Sequence, residues 1–525
     1  VNIAALIGER ARLHPAKRSV VLWDGSFYTF AQFEERSQQI AARLTRLGVK
    51  PGARVALFVR PSLDFSVITF ALFKLGAIPV LIDPGMGRKN LLKALEEVAP
   101  EGLIAVNVVH VLRRVFRRAF KSVRWAFSVE SNWFLAPELL KDLASERTDL
   151  PLFAAKDEDA AAILFTSGGT GTPKGVITTH GILAAQTRML QEMFALTDRD
   201  IDMPGFPLFA LFTLAMGMTS VIPEMDPTKP AHCDPAKLIA GLIEEKITFA
   251  AGSPAIWERV GEYALKNNLQ FPHLKHIVMF GAPVRGEMHE MWAKLLPNGT
   301  THTPYGATEC LPVASFSGKE ILAGTWKKTQ NGAGTCVGPA TPGNQVMIIA
   351  ATDIPESEAR PLLAGEIGEI VVLGPTVTPG YYGREEATRL AKIPDRRGLI
   401  HRMGDVGYLD SEGKLWFCGR KTHVVKVAGT FWYPIPCEAI FNQHPSVKRS
   451  ALLNLKDRAG LAVELRPGVN WSETLKAELL KLGAGHAHTQ NIKDLFVHPG
   501  FPVDVRHNIK IDRVALSHWA LKERA

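Results

Sequence analysis

The chain has 525 residues and a net charge of +9, and 46% of its residues are apolar against 22% charged. Those proportions are ordinary for a globular protein, and the length is too great for one core, which implies three or four structural units. No segment approaches the roughly 18 uninterrupted apolar residues of a membrane span.

Glu9 and Arg10 interrupt the apolar start of the chain, so the sequence predicts no export signal. The five cysteines, at 233, 310, 336, 418 and 437, form no CxxC pair. Neither a zinc ribbon nor a disulfide framework is indicated, and a reducing, cytoplasmic setting is expected.

Residues 1 to about 155 read as alternating helix and strand. Helical periodicity covers 30–47, with Gly48 at its end, and 66–75, stopped by Gly76; 55–59 and 78–82 are short apolar strands, the second closing on Asp83-Pro84-Gly85. This rhythm predicts a parallel, doubly wound sheet. Segment 111–125 carries Arg113, Arg114, Arg117, Arg118, Lys121 and Arg124 among apolar residues at helical spacing, so a basic amphipathic helix is expected there. Two readings of it stand: a surface helix packed by its apolar side, and a helix resting on an acidic membrane face or partner.

After the apolar run 160–165 comes 166–175, TSGGTGTPKG. Gly168, Gly169 and Gly171 allow backbone conformations closed to other residues, so successive N–H groups can turn inward around an anion. Thr166, Ser167 and Thr170 add hydroxyl donors, and Lys174 adds a positive charge. Such a loop is built to hold phosphates, at the carboxyl end of a strand as doubly wound sheets place it. It is not a Walker loop, because Pro173 precedes Lys174 and Gly175 follows, and it misses the GxGxxG spacing as well. A plain Gly/Thr-rich surface turn is the competing reading.

Further along, 207–218 is strongly apolar and reads as pocket wall or core helix; 247–251 and 274–280 are strand-like, the latter running into Gly281-Ala282-Pro283. That turn lets a flat ring approach the backbone. In 304–309, PYGATE, Tyr305 can stack on a base, Gly306 permits close approach, and Thr308 and Glu309 supply a hydroxyl and a carboxylate. A carboxylate beside a triphosphate suits Mg²⁺, which takes only one or two protein ligands. Beyond Gly334, short antiparallel strands with tight turns are expected, including a hairpin in 402–420 turning at Ser411-Glu412-Gly413; Asp405 can accept from two ribose hydroxyls. A boundary is placed at 420–422, dividing the chain into 1–419 and a small α+β unit, 420–525.

These motifs, in this order, resemble the adenylate-forming superfamily of acyl-CoA ligases, peptide-synthetase adenylation domains and luciferases, over essentially the whole chain. The resemblance implies an α/β fold: a large N-terminal domain of doubly wound sheets with a small β-barrel-like part, then a small mobile C-terminal lid. It implies ATP and Mg²⁺. Thr170, Lys174 and the loop backbone would hold the β/γ-phosphates, while Tyr305, Gly306 and Ala307 would flank adenine beside Gly281, Ala282 and Pro283. Thr308 would meet the α-phosphate, Glu309 would carry Mg²⁺, Asp405 and Arg420 would hold ribose, and Lys510 would bridge substrate carboxylate and α-phosphate.

The strings 70–85, 219–231, 303–314, 332–338, 401–410 and 501–511 are closer still to one branch, the β-lactone synthetases of bacterial long-chain olefin biosynthesis. The implied substrate is a long-chain 2-alkyl-3-hydroxy acid, adenylated with release of pyrophosphate. Its own β-hydroxyl then displaces AMP to close a β-lactone. Other olefin-pathway enzymes are implied as partners, and no nucleic acid.

This chain departs from the superfamily in four places. Gly169 stands where Ser or Thr is usual, and Phe209-Ala210-Leu211 where many CoA ligases have His. Lys421-Thr422-His423 replaces the Asp-Asp after Gly-Arg, and Pro436 replaces the first of two glutamates, Glu438 matching the second. The later departures weaken the case for an external thiol as acceptor. A long-chain acyl-CoA or acyl-carrier-protein ligase is the alternative activity; a catalytically weak scaffold is opposed by intact Lys174, Glu309, Asp405 and Lys510. For the hydroxyl proton, His423, His507 and the leaving phosphate are candidates, whereas His486 and His488 read as solvent-exposed.

Overall fold

The computed structural model describes residues 1–131, 134–166, 172–354, 356–503 and 511–523, with the side chain of Thr166 outside the description. Two doubly wound sheets form the bulk of the chain. In the first, six strands lie in the order Trp125–Ser128, Gly102–Ala105, Arg54–Phe58, Ile78–Ile82, Ala160–Thr166 and Lys174–Thr179, all parallel except the last pair. The second has eight strands, parallel in its centre and edged at both ends by antiparallel pairs, one of them Thr300–Ala307 with Cys310–Ser317.

Helices Phe30–Arg46, Leu63–Leu75 and Phe209–Met216 contribute to one core with strands of both sheets. The first starts at Thr29 through a capping box with Gln32 and buries Phe30, Phe33, Ile40 and Leu44. The second is apolar on every side because it is enclosed between the sheets. It ends at Gly76 (φ +77°), where a Cβ would lie 2.5 Å from the Phe153 ring, so only glycine fits both the left-handed turn and the space.

An antiparallel sheet follows, with strand order Thr335–Gly338, Leu415–Arg420, Gly398–Leu409, Gly368–Leu373 and Gln345–Ile349, Lys392–Asp395 pairing beside Gly398–Leu409. The expected hairpin is there, since Asp405 pairs with Arg420 and the chain turns at 410–413. Isolated bridges Val176–Tyr381 and Cys310–Val377 join this part to the two larger sheets. The last hundred residues build a three-stranded sheet, Val447–Asn454, Ala459–Leu465 and Asp494–Val497, whose core includes Phe441, Leu452, Val463 and Leu479.

Two sequence expectations change. The helix expected over 111–125 spans Asn107–Val115 only. It stops at Phe116 because Trp125 enters the sheet beside Gly102; the N–H groups of Arg124 and Trp125 both donate to the Glu101 carbonyl, at 2.7 and 3.2 Å. His488 is half-buried rather than solvated: its Nε2 lies 3.2 Å from the Pro436 carbonyl and against Gly332 (φ +84°), where a Cβ would come within 2.3 Å of the ring. Among the described residues, no helix is long and apolar enough to cross a membrane.

Candidate active site

The strand Ala160–Thr166 delivers the glycine-rich segment to the carboxyl edge of the first sheet. Ser167, Gly168, Gly169, Thr170 and Gly171 lie outside the described residues. Lys174 opens the return strand, paired with Thr166 in an antiparallel hairpin. Its Nζ stands 4.7 Å from the ring centroid of Tyr381, a cation–π contact. The Tyr381 hydroxyl donates to Glu309 Oε1 at 2.7 Å, so one buried phenol joins the loop lysine to the PYGATE carboxylate.

Backbone contacts fix that phenol. Tyr382 N donates to the Gly175 carbonyl at 2.8 Å, Ile177 N to the Gly380 carbonyl at 3.1 Å, and Tyr381 N to Thr388 Oγ1 at 3.0 Å. Glu309 is held by its own carbonyl, which accepts from Thr378 N at 3.0 Å and Thr378 Oγ1 at 2.9 Å. Burial, with the Glu309 carboxylate beside it, raises the Tyr381 pKa, keeping the hydroxyl a donor.

A second cluster lies where the second sheet meets the antiparallel one. The Tyr305 hydroxyl donates to Asp405 Oδ2 at 2.6 Å, and its ring leans on Phe417 with centroids 5.9 Å apart. Arg420 Nη1 pairs with Asp405 Oδ1 at 3.0 Å, so a cation holds one oxygen of this buried carboxylate and a phenol the other, each oxygen keeping a further lone pair. Burial pushes the Asp405 carboxyl up, against the pull of Arg420 and Tyr305. A buried acceptor of this kind suits a ligand hydroxyl. Gly404 (φ +67°) sits just before Asp405, at a register irregularity inside the strand Gly398–Leu409.

Both clusters open into one cleft of about 2950 Å³. Gly281, Ala282, Pro283, Gly306, Ala307 and Thr308 line it near the polar groups, and Gly281 (φ +91°) requires glycine in that turn. Its apolar wall includes Phe206, Leu211 and Phe212, with Phe209 and Phe280 stacked at 5.2 Å and 14°. The run 207–218 is therefore both core helix and pocket wall. Typical ligand sites enclose roughly 300–1,000 Å³; this cleft has room for a nucleotide and a long apolar chain together.

Val503, Ile511, Asp512 and Arg513 line the same cleft from the C-terminal side. Lys510 and His507 fall between them and lie outside the described residues. Arg513 forks onto Glu438 at 2.9 and 2.6 Å, and Glu438 also accepts from Leu452 N at 2.9 Å, so the retained glutamate anchors the final helix. At the junction, Lys421 Nζ approaches Asp353 at 3.3 Å and Glu369 at 3.4 Å. His423 lines the cleft, and burial with Arg513 and Arg420 nearby pushes it down to about 4, so it is neutral at pH 7.

Three cleft neighbours carry no signal in the sequence. Tyr381 reads only as part of a Gly-Tyr-Tyr turn. His401 is buried at the cleft wall with Nδ1 3.2 Å from the Ala391 carbonyl. Lys392, its strand partner behind the cleft wall, is pushed down to about 8 by burial, against the upward pull of Cys310 and Glu309.

Known proteins bear on this geometry. The family model described as AMP-binding enzyme matches residues 7–382. An olefin beta-lactone synthetase of Xanthomonas campestris is 43% identical over 515 residues, 94% of this chain and 91% of that protein. A protein of the same description from Stenotrophomonas maltophilia is 40% identical over 548 residues, 99% of this chain and 98% of the other. A long-chain-fatty-acid–CoA ligase of Thermus thermophilus is 26% identical over 472 residues, 87% of this chain and 84% of that protein. Among solved structures, ATP-bound MatB from Rhodopseudomonas palustris superposes with a TM-score of 0.82 at 20% identity, covering 100% of this chain and 99% of that one. That likeness shows the shared fold.

Proposed function

Because this chain belongs to the AMP-binding enzyme family, we propose that it is an ATP-dependent β-lactone synthetase. Its substrate is a long-chain 2-alkyl-3-hydroxy acid, and its place is in cytoplasmic olefin biosynthesis beside other enzymes of that route. The observation that carries the reading is one cleft with Lys174, Tyr305, Glu309, Asp405 and Arg420 at its polar end and the Phe209–Phe280 stack in its apolar wall. The 40–43% identity to olefin beta-lactone synthetases over nearly the whole chain supports the same reading.

In this proposal the substrate carboxylate attacks the α-phosphorus of ATP and pyrophosphate leaves. Lys174 and residues Thr166, Ser167, Gly168, Gly169, Thr170 and Gly171 hold the β/γ-phosphates. Gly281, Ala282, Pro283, Tyr305, Gly306 and Ala307 border adenine, and Asp405 Oδ1 with Arg420 receives ribose. Thr308 and Lys510 stabilise charge growing on the phosphoryl oxygens.

Glu309 suits Mg²⁺, since one carboxylate completed by phosphate oxygens is its usual protein share; the ion supplies charge neutralisation on the phosphates. The β-hydroxyl then attacks the acyl carbon, AMP leaves, and its phosphate takes the proton. Residues 420–525 act as a lid, and the cleft excludes water that would hydrolyse the adenylate. Peripheral contact with a membrane through 111–125 belongs to the same reading.

Incubation with ATP, Mg²⁺ and a long-chain 2-alkyl-3-hydroxy acid, without CoA, tests it. NMR should show a β-lactone forming in step with AMP. The relatives that are CoA ligases keep a second reading, a long-chain acyl-CoA or acyl-carrier-protein ligase. Adenylate that stays bound until a thiol is added would select that one.

A further inference from the structure

The cleft reaches the helix Asn107–Val115, whose Val108, Val109 and Leu112 line it. This helix starts directly after the strand Gly102–Ala105, at the same carboxyl edge of the first sheet that carries the phosphate loop three strands away. Its outer side is apolar and uncovered: Val108 is 56% exposed, Val111 48% and Val115 66%, with Phe134 alongside at 57%. A soluble surface helix normally turns such a stripe inward. Here the buried side is taken by His110, bonded to the Phe127 carbonyl at 3.0 Å.

Cations follow the stripe along the helix and past its end toward the amino edge of the sheet, where Arg124 N meets the Glu101 carbonyl. Residues 107–124 contain six Lys and Arg and no Asp or Glu. Arg114, Arg117, Arg118, Lys121 and Arg124 are exposed, and of these only Arg118 has an ion pair among the described residues, a long one to Glu96 at 3.6 Å. Arg113 and Arg114 bond the carbonyls of Leu135 and Phe134 at 3.3 and 2.6 Å, fastening the Phe134 segment to the helix. Val108, Val111 and Val115 thus form an apolar stripe in a mostly cationic rim, approached by two carboxylates, Glu130 at the helix start and Glu96 at Arg118, and its Val108 end lies at one mouth of an apolar cleft.

We propose that this rim seats on an anionic lipid surface and that the long-chain acid passes from that surface into the cleft beside Val108, Val109 and Leu112. Apolar side chains would enter the headgroup boundary while the cations meet lipid phosphates, the arrangement of interfacial helices. The proposal rests on the long-chain hydroxy-acid reading of the cleft. A lipid surface fits better than an acidic protein because the valine stripe and the cleft mouth coincide.

Sedimentation of the full chain with phosphatidylglycerol-containing vesicles, against pure phosphatidylcholine vesicles, tests the docking without any chemistry. Binding to the anionic vesicles is expected, weakening as salt rises. Because each surface cation contributes about fivefold, R114Q/R117Q should bind about 25-fold more weakly. V111N/V115N, which alters only exposed positions, should also weaken binding.

Equal binding to both vesicle types, no vesicle binding, or unchanged binding by both variants would overturn the proposal; binding only to an acidic protein would do the same. The long-chain acid dispersed in non-ionic detergent, with no vesicles present, separates the two readings. If AMP release on it fails in the wild type, the activity reading falls, whatever the vesicles show. If the variants keep that activity but turn over vesicle-held substrate more slowly, the entry route stands.

Discussion

Replacing Tyr381 by Phe tests the junction between the loop lysine and Glu309. The ring would stay under Lys174, 4.7 Å from Nζ, and only the hydroxyl bonded to Glu309 Oε1 at 2.7 Å would be lost. The backbone bonds that place residue 381, to Thr388 and through residues 380 and 382 to the return strand, do not involve the side chain. A hydrogen bond to a charged group contributes about 1.5–3 kcal/mol. If that energy holds Glu309 in its working orientation, the adenylation rate should fall roughly 10- to 150-fold.

ATP–pyrophosphate exchange reads this half-reaction alone, and a Mg²⁺ titration reads the consequence for the carboxylate. We expect Y381F to exchange slowly and to need more Mg²⁺ for half-saturation, with little change in half-saturating acid. Y381L should be slower by a further two- to thirtyfold, because it also gives up a cation–π contact of about 0.5–2 kcal/mol. Wild-type exchange and wild-type Mg²⁺ dependence in Y381F would refute the positioning argument.

Lys510→Ala should abolish AMP and pyrophosphate formation; unchanged turnover would remove Lys510 from the mechanism. Asp405→Asn faces Arg420 with an amide donor and should raise KM for ATP at least tenfold while leaving that for the acid near wild type, which steady-state kinetics in both substrates checks. Asp202 is fully buried beside Thr213 (2.8 Å) and Ser220 (3.3 Å), and burial pushes it up to about 7. A raised carboxyl stabilises the fold below its unfolded pKa and loses that contribution as pH climbs to the folded value. Thermal melts should therefore show D202N gaining on the wild type by about 4 kcal/mol between pH 4 and pH 7, then levelling off; a pH-independent difference would contradict the burial argument.

The sequence is legible where one short string carries both backbone and chemistry. The left-handed Gly76, the hairpin turning at 410–413 and the PYGATE string are local features, and local rules find them. Tyr381 is invisible because its meaning comes from Glu309, 72 residues away, and from a strand pairing only the folded chain makes. Lys392 and His401 acquire their burial from strand pairing across the Lys392–Asp395 edge. The segment 111–125 departs from its expected helix at the C-terminal end for a related reason. Its periodicity is helical throughout, but Trp125 is claimed by a sheet whose register is set by Gly102 and Glu101.

The choice between an internal hydroxyl and an external thiol turns on what holds the last hundred residues in place. Gln443 Nε2 donates to the Gln330 carbonyl at 2.6 Å, Pro434 packs where a Cβ on Gly419 would come within 2.9 Å, and His488 lies against Gly332 in the same way. Lys421, at the boundary expected over 420–422, lies near both Glu369 and Asp353. In the proposed lid role, turning 420–525 to admit a thiol would break the carbonyl bond, the close glycine contacts and the Lys421–Glu369 approach together, while Glu369 keeps its 2.6 Å pair with Arg402. Attack by the substrate's own β-hydroxyl requires none of that movement. Weakening the junction should therefore leave lactone formation intact: Q443A and H488A should keep the wild-type ratio of β-lactone to AMP. Loss of lactone with retained AMP release would refute this, because ring closure would then need the junction held as it stands.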